Sequence, residues 1–115
     1  MSRGRCYVEL IDGKAVRIFR TRIDAIKSPA YEANRVTEWP RKDATFEIRS
    51  YVFKRAAGQC ERCGKRLTWN QGHMDEKVSR GEAGEISIYN SWWLCYDCHL
   101  GPDGEHKDRW LGKRK

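Results

Sequence analysis

Two short cysteine pairs constrain this chain more than any other feature of its sequence. Cys60 and Cys63 form one pair, Cys95 and Cys98 form the other, and two residues separate the cysteines within each pair. This spacing lets both thiolates of a pair converge on one metal ion, and two such pairs complete the tetrahedral sulfur site that Zn²⁺ prefers. The sequence therefore predicts a structural zinc site made by these four cysteines.

Other uses of the cysteines fit the sequence less well. A redox-active motif needs a single pair in a strand–helix–strand context, and neither pair has that context. A disulfide or thioredoxin-like role for the pairs stays the alternative. The fifth cysteine, Cys6, lies in a β-rich segment, and we interpret it as an ordinary strand residue.

Size and hydropathy set the class of protein. The chain has 115 residues, which favours one domain with a small core that a zinc site would supplement. Its mean hydropathy is −0.85, and no apolar run is long enough to span a membrane. The first residues are charged and lead into no apolar stretch, so we expect a soluble cytoplasmic protein.

The charge balance favours an anionic partner. Lys and Arg number 23 against 16 Asp and Glu, for a net charge of +7 at pH 7, which is typical of proteins that bind nucleic acid. Residues 1–58 hold most of the excess, with 13 basic and 7 acidic side chains. A solvated surface that keeps a small protein soluble explains the same excess equally well.

The first third of the chain predicts a β-hairpin and a connector. Asp12-Gly13 separates two β-rich runs within residues 6–19, and this dipeptide is the strongest short hairpin signal. Prolines interrupt residues 21–42, so we expect a short helix and an extended connector there. The basic residues of this region are candidates for a track that follows phosphates: Arg20, Arg22, Lys27, Arg35, Arg41 and Lys42.

A helix is predicted to lead into the first cysteine pair. Asp43 supplies an N-cap, Ile48 and Val52 recur at helical spacing, and Gly58 provides a stop. Basic residues accompany this helix and the later glycine-rich segment, and we expect four of them to contact DNA: Arg49, Lys54, Arg55 and Arg80.

Two histidines and an asparagine accompany the cysteine pairs. His73 and Asn90 lie between the pairs, and His99 directly follows Cys98. Because four sulfur atoms already complete the predicted zinc site, both histidines are free for other chemistry. The nearby tryptophans Trp92 and Trp93 are more often packing residues in so small a protein than platforms for nucleic-acid bases.

The order of these residues resembles that of the HNH endonuclease family, in the zinc-braced form that small bacteriophage-encoded proteins also have. The resemblance covers residues 44–100 and includes Gly81 and Gly84 of the intervening loop. It implies an α+β fold with a small ββα-metal (His-Me finger) motif braced by the four-cysteine zinc site. An N-terminal β-hairpin and helix precede the motif, which divides the chain into a basic extension (residues 1–43) and a nuclease domain (residues 44–115).

The resemblance also implies positions for the site residues. His73 ends a first strand that begins at 67–69, residues 92–95 form the second strand, and His99 lies on the following helix. His73 would act as general base. His99 would hold a catalytic Mg²⁺ or Mn²⁺ together with a nearby carboxylate, for which Asp75 is favoured over Glu76. Asn90 would hydrogen-bond the backbone of the loop between the strands. An ungapped register instead makes His73 a metal ligand and puts Met74 at the position of the base.

Two functions follow from these expectations. The first is a metal-dependent DNA endonuclease that nicks or cuts, and the resemblance to phage proteins adds DNA packaging beside a terminase as a setting for it. The second is a zinc-stapled module that binds DNA through its basic N-terminal half without catalysis. Metal-dependent cleavage separates the two, since binding alone needs no ion beyond zinc.

Overall fold

The Asp12-Gly13 turn closes a β-hairpin, as the sequence predicts. In the structure, a computed structural model that describes residues 4–78 and 85–101, strand β1 (Arg5–Ile11) pairs antiparallel with strand β2 (Lys14–Ile18). Asp12 has a φ of 53° and Gly13 a φ of 78°. Two positive φ angles are what a tight two-residue hairpin turn requires, and both residue types tolerate them.

The segment after the hairpin contains two short helices and a strand. Helix α1 (Arg22–Lys27) is capped by Thr21, and helix α2 (Pro29–Glu32) is capped by Ser28. Strand β3 (Val36–Pro40) then pairs antiparallel with β1. The short helix is confirmed, but the expected extended connector is a sheet strand, because its backbone completes the hydrogen bonding of β1.

Helix α3 (Arg41–Arg55) leads to the first cysteine pair, as expected. The predicted N-cap is wrong: Asp43 lies within the first turn, where a carboxylate stabilises the helix dipole from inside the helix. Ile48 and Val52 are completely buried, which confirms the predicted apolar face. Gly58, with a φ of 72°, follows the end of the helix.

The remaining elements are short. They are strand β4 (His73–Glu76), strand β5 (Ile86–Ser87), strand β6 (Ser91–Leu94) and helix α4 (Tyr96–Leu100). The second strand and the helix that carries His99 are thus present where the sequence predicts them.

The predicted first strand is displaced. Residues 67–69 are not a strand, because Thr68 turns the chain: its carbonyl accepts from the N–H groups of Gln71 at 3.1 Å and Gly72 at 3.2 Å. The strand starts only after this turn. The prediction that His73 ends a strand is therefore wrong, since His73 begins β4.

The chain divides into two compact units that alternate along the sequence. The first unit comprises Met1–Tyr51 and Glu76–Ser91, and the second comprises Val52–Asp75 and Trp92–Lys115. A four-stranded sheet has the order β3-β1-β2-β5, and a two-stranded sheet pairs β4 with β6. The chain is therefore a small α+β protein, while the division at residue 43 stays a prediction. Among the described residues, no helix is long and apolar enough to cross a membrane.

Candidate metal centre and histidine site

The four cysteines of the two pairs converge in the second unit. Their Sγ atoms all lie within 4.8 Å of one another, and the Sγ atoms of Cys63 and Cys95 are 3.7 Å apart. A tetrahedral zinc ion with Zn–S bonds of about 2.3 Å holds its sulfur ligands about 3.8 Å apart. The cluster therefore has the chemistry and the spacing that a structural zinc site needs.

Backbone N–H groups prepare the cysteine cluster for a cation. The Sγ of Cys60 accepts from the N–H groups of Arg62 and Cys63, each at 3.4 Å, and the Sγ of Cys95 accepts from Cys98 at 3.4 Å. Burial opposes ionisation of Cys60, but backbone N–H donors outweigh it and lower its pKa to about 6. Burial, with hydrogen bonds to the neighbouring thiols, raises the pKa of Cys98. These donors therefore favour the thiolate form of Cys60, which is the form that binds a metal ion.

Glu61 attaches the first cysteine pair to strand β6. Its N–H donates to the carbonyl of Trp93 at 2.7 Å, and its Oε1 accepts from the N–H of Trp93, also at 2.7 Å. The guanidinium of Arg55 binds the same carboxylate through two hydrogen bonds of 2.8 and 3.1 Å. Since β6 leads directly into Cys95, these bonds set the distance between the two cysteine pairs.

An aromatic cluster supports the same strand. Trp93 is completely buried and packs edge-on against Phe53, with ring centroids 5.2 Å apart, and beside Trp69 at 5.9 Å. A Cβ on Gly72 would overlap the Trp93 ring, so only glycine fits beside it. The expected packing role of Trp93 is confirmed. Nothing in the sequence around Gly72 predicted that its backbone lies against the Trp93 ring.

We expect Glu61→Ala to lower the free energy of unfolding of the zinc-loaded protein by about 2 kcal/mol, because it removes the carboxylate acceptor of the part-buried Trp93 N–H and a bidentate ion pair. Arg55→Gln removes the partly exposed ion pair and leaves the carboxylate that accepts from Trp93, so it should cost about 1 kcal/mol or less. Urea unfolding of both variants measures the difference. Equal losses would mean that the bond to Trp93 contributes nothing.

His73, Asp75 and His99 come together in the second unit. The Nε2 of His99 lies 3.4 Å from the Oδ1 of Asp75, and the rings of His73 and His99 have centroids 5.1 Å apart. Asp75 is 6 % exposed, and its Oδ2 accepts from the indole N–H of Trp92 at 3.3 Å. The two histidines and the carboxylate named from the sequence therefore share one site.

The histidine site differs from the cysteine cluster in the number of ligand atoms it brings close. Within residues 4–78 and 85–101, the four cysteines are the one group of three or more metal-ligating side chains that lie mutually within 4.8 Å. In the histidine site, the Asp75 oxygen and the His99 nitrogen form a close pair. The chain thus brings two candidate ligand atoms together here, and binding of a second metal ion at this site stays a prediction.

Asn90 clamps the loop between β4 and β6, in the first unit. Its Oδ1 accepts from the N–H of Val78 at 2.9 Å, and its Nδ2 donates to the carbonyls of Val78 at 2.9 Å and Glu85 at 2.8 Å. Its own carbonyl accepts from Lys77 at 2.7 Å. These are the backbone bonds expected of Asn90, whereas its part in catalysis stays a prediction. Gly81 and Gly84 lie outside the described residues.

We expect Asn90→Ala to release this loop, because it removes three hydrogen bonds to backbone groups, at a cost of about 2–3 kcal/mol. Asn70→Ala is the matched control, since it truncates an exposed asparagine that takes no part in these bonds. Hydrogen exchange at the Val78 amide should accelerate strongly in Asn90→Ala and little in Asn70→Ala. Unchanged protection in Asn90→Ala would contradict the clamp.

The candidate DNA-contact residues have unequal surroundings. Lys54 is exposed and Arg49 is half-buried, with a pKa that burial lowers. Arg55 forms an ion pair with Glu61. It therefore supports the segment that carries the first cysteine pair as well as adding positive charge to the surface. Arg80 lies outside the described residues. DNA binding by these four residues stays a prediction.

No family model, no curated protein and no solved structure matches this chain. The resemblance to HNH endonucleases therefore stays a prediction that rests on the residues and their order.

Proposed function

We propose that this chain is a metal-dependent endonuclease of the HNH type that hydrolyses phosphodiester bonds in DNA. The observation that carries the proposal is the buried Asp75 carboxylate, 3.4 Å from the imidazole of His99, with the His73 ring beside it. We also propose that the protein acts in phage DNA packaging beside a terminase. This part of the proposal rests only on the resemblance to phage-encoded proteins.

The cysteine cluster is proposed to hold a structural zinc ion. Four thiols with two-residue spacing and sulfur atoms that all lie within 4.8 Å of one another favour Zn²⁺ over an oxygen-seeking cation. Cys95 caps α4, and Cys98 lies within this helix immediately before His99, so fixing both cysteines also fixes the short helix that carries His99. In this proposal zinc stabilises the fold and takes no part in the reaction.

Asp75 and His99 would hold the catalytic Mg²⁺ or Mn²⁺. Adjacent ligands of an octahedral ion with bonds of about 2.1 Å lie about 3.0 Å apart, so their separation of 3.4 Å needs only a small adjustment. The indole of Trp92 fixes the carboxylate for this task. The ion, when bound, supplies positive charge for the phosphate and the leaving oxygen.

His73 is proposed to act as the general base. Its imidazole takes a proton from a water molecule, whose oxygen attacks phosphorus. The phosphorus–oxygen bond to the leaving group then breaks, and the leaving alkoxide takes a proton from solvent. The products are a phosphomonoester and a hydroxyl end. Met74, the base position of the ungapped register, has no group that accepts a proton at neutral pH.

The second candidate is a zinc-stapled module that binds DNA without cutting it. It is favoured by the two-ligand character of the histidine site and by the net charge of +7. This module should bind DNA with an affinity that falls steeply as salt increases.

A supercoiled-plasmid assay of the zinc-loaded protein distinguishes the two functions. The endonuclease predicts open-circle or linear product only after Mg²⁺ or Mn²⁺ is added. Salt-dependent plasmid binding without conversion in either ion would reject the endonuclease and support the binding module.

A further inference from the structure

A cleft in the first unit combines apolar and cationic walls. Its volume is about 350 Å³, and it lies outside both the cysteine cluster and the histidine site. Five residues line it: Ile18, Phe19, Arg20, Arg41 and Ile86. Such a lining suits a ligand that has both an anionic group and an apolar face.

The two arginines of the cleft are available to a ligand. Arg20 follows β2 and Arg41 begins α3, and both are exposed. Neither has a hydrogen bond or ion pair with any residue in the described part of the chain. Two other arginines of this unit, Arg17 and Arg35, instead pair with the buried carboxylate of Glu9 at 3.4 and 3.3 Å.

A nucleotide matches these walls. Guanidinium groups bind phosphate oxygens through paired, charge-assisted hydrogen bonds, and aliphatic and aromatic side chains pack against a sugar or a base. Ligand pockets start at about 300 Å³, so the cleft has room for about one nucleotide and is too small for a duplex.

We propose that this cleft binds one unpaired nucleotide of a nucleic-acid strand, with the two arginines on its phosphate and the apolar floor against its sugar and base. The inference rests on the proposed function, because that function makes nucleic acid the phosphate-bearing partner. It adds a binding site for single-stranded substrate that is separate from the residues of the histidine site.

Fluorescence anisotropy with a short labelled oligothymidylate tests the inference in zinc-loaded protein without added Mg²⁺ or Mn²⁺. The variant Arg20→Ala/Arg41→Ala should raise Kd at least about tenfold, with a log–log salt slope lower by about 0.7 for each phosphate that the variant no longer neutralises. Ile86→Thr should also weaken binding, since it makes the floor more polar. Unchanged affinity in both variants would overturn the inference.

A charge-matched control and two competitors make the test specific. Lys14→Ala/Lys65→Ala removes two exposed positive charges outside the cleft and should change Kd less than about threefold. Thymidine monophosphate should displace the oligonucleotide well below the concentration of inorganic phosphate that does so. Three results would each overturn the inference. They are an equal rise in Kd in the two double variants, displacement by inorganic phosphate at the same concentration as by thymidine monophosphate, and a loss of duplex DNA affinity in Arg20→Ala/Arg41→Ala as large as the loss of oligothymidylate affinity.

The plasmid assay keeps this inference distinguishable from the proposed function. Normal oligothymidylate binding by Arg20→Ala/Arg41→Ala in a protein that cleaves plasmid would overturn the cleft and leave the endonuclease standing. Oligothymidylate binding that depends on Arg20 and Arg41, in a protein that never cleaves plasmid, would reject the endonuclease and leave the cleft standing.

Discussion

Replacement of Cys95 by serine is expected to abolish zinc binding and cooperative folding of the second unit. The substitution removes one of four converging sulfur ligands, and small domains that lose a structural metal lose more than about 4 kcal/mol of stability. Zinc content should fall from one ion per chain to none. Tryptophan emission should shift to the red, because the packing of Trp93 against Phe53 and Trp69 depends on the strand that leads into Cys95.

Cys6→Ser is the matched control for this prediction. Cys6 is as buried as a core residue, at 6 % exposed, but it lies on β1 and outside the cluster. The control should keep one zinc ion per chain and lose about 1 kcal/mol of stability. A Cys95→Ser protein with a full zinc complement and the thermal midpoint of the parent would contradict the zinc site.

Replacement of His99 by alanine is expected to lower the rate of plasmid cleavage by about 10³-fold. It removes one of the two atoms proposed to hold the catalytic ion and leaves the buried carboxylate of Asp75 as the single ligand. Initial rates at saturating Mg²⁺ or Mn²⁺ measure the loss. Zinc content should stay that of the parent, because four cysteines hold the zinc without His99.

Asp97→Asn is the control for the His99 variant. Asp97 lies on the same helix, α4, and is exposed, so its neutralisation changes the local charge without touching the histidine site. Its cleavage rate should lie within about threefold of the parent. A His99→Ala protein that cleaves as fast as Asp97→Asn would reject the assigned role of His99.

Local signals in the sequence predicted much of the fold. Asp12-Gly13 has the backbone freedom that a hairpin turn needs, and the periodicity of Ile48 and Val52 matches a helix buried on one face. Strand β3 could not be predicted in the same way, because it carries no alternating pattern and its hydrogen bonds come from distant β1. The late start of β4 was missed because a turn held by the carbonyl of Thr68 leaves little trace in residue types.

Some features of the candidate site could likewise be predicted from the sequence, and others could not. Cysteine spacing predicted the cluster, since both cysteines of a pair must point at one ion. The proximity of Asp75 to His99 was expected through the resemblance and needed the structure to give a distance. Glu61 and Gly72 were missed, because a carboxylate that binds a backbone N–H and a glycine beside an indole depend on the partner that tertiary packing supplies.

Hydrolysis of phosphodiester bonds at the histidine site is tested most directly by comparing the parent protein with His73→Ala in a supercoiled-plasmid assay. Both proteins must carry one zinc ion per chain. We expect conversion by the parent only with Mg²⁺ or Mn²⁺, and a rate lower by about 10²- to 10⁴-fold in His73→Ala. Equal rates in the two proteins, or no conversion by the parent in either ion, would contradict it.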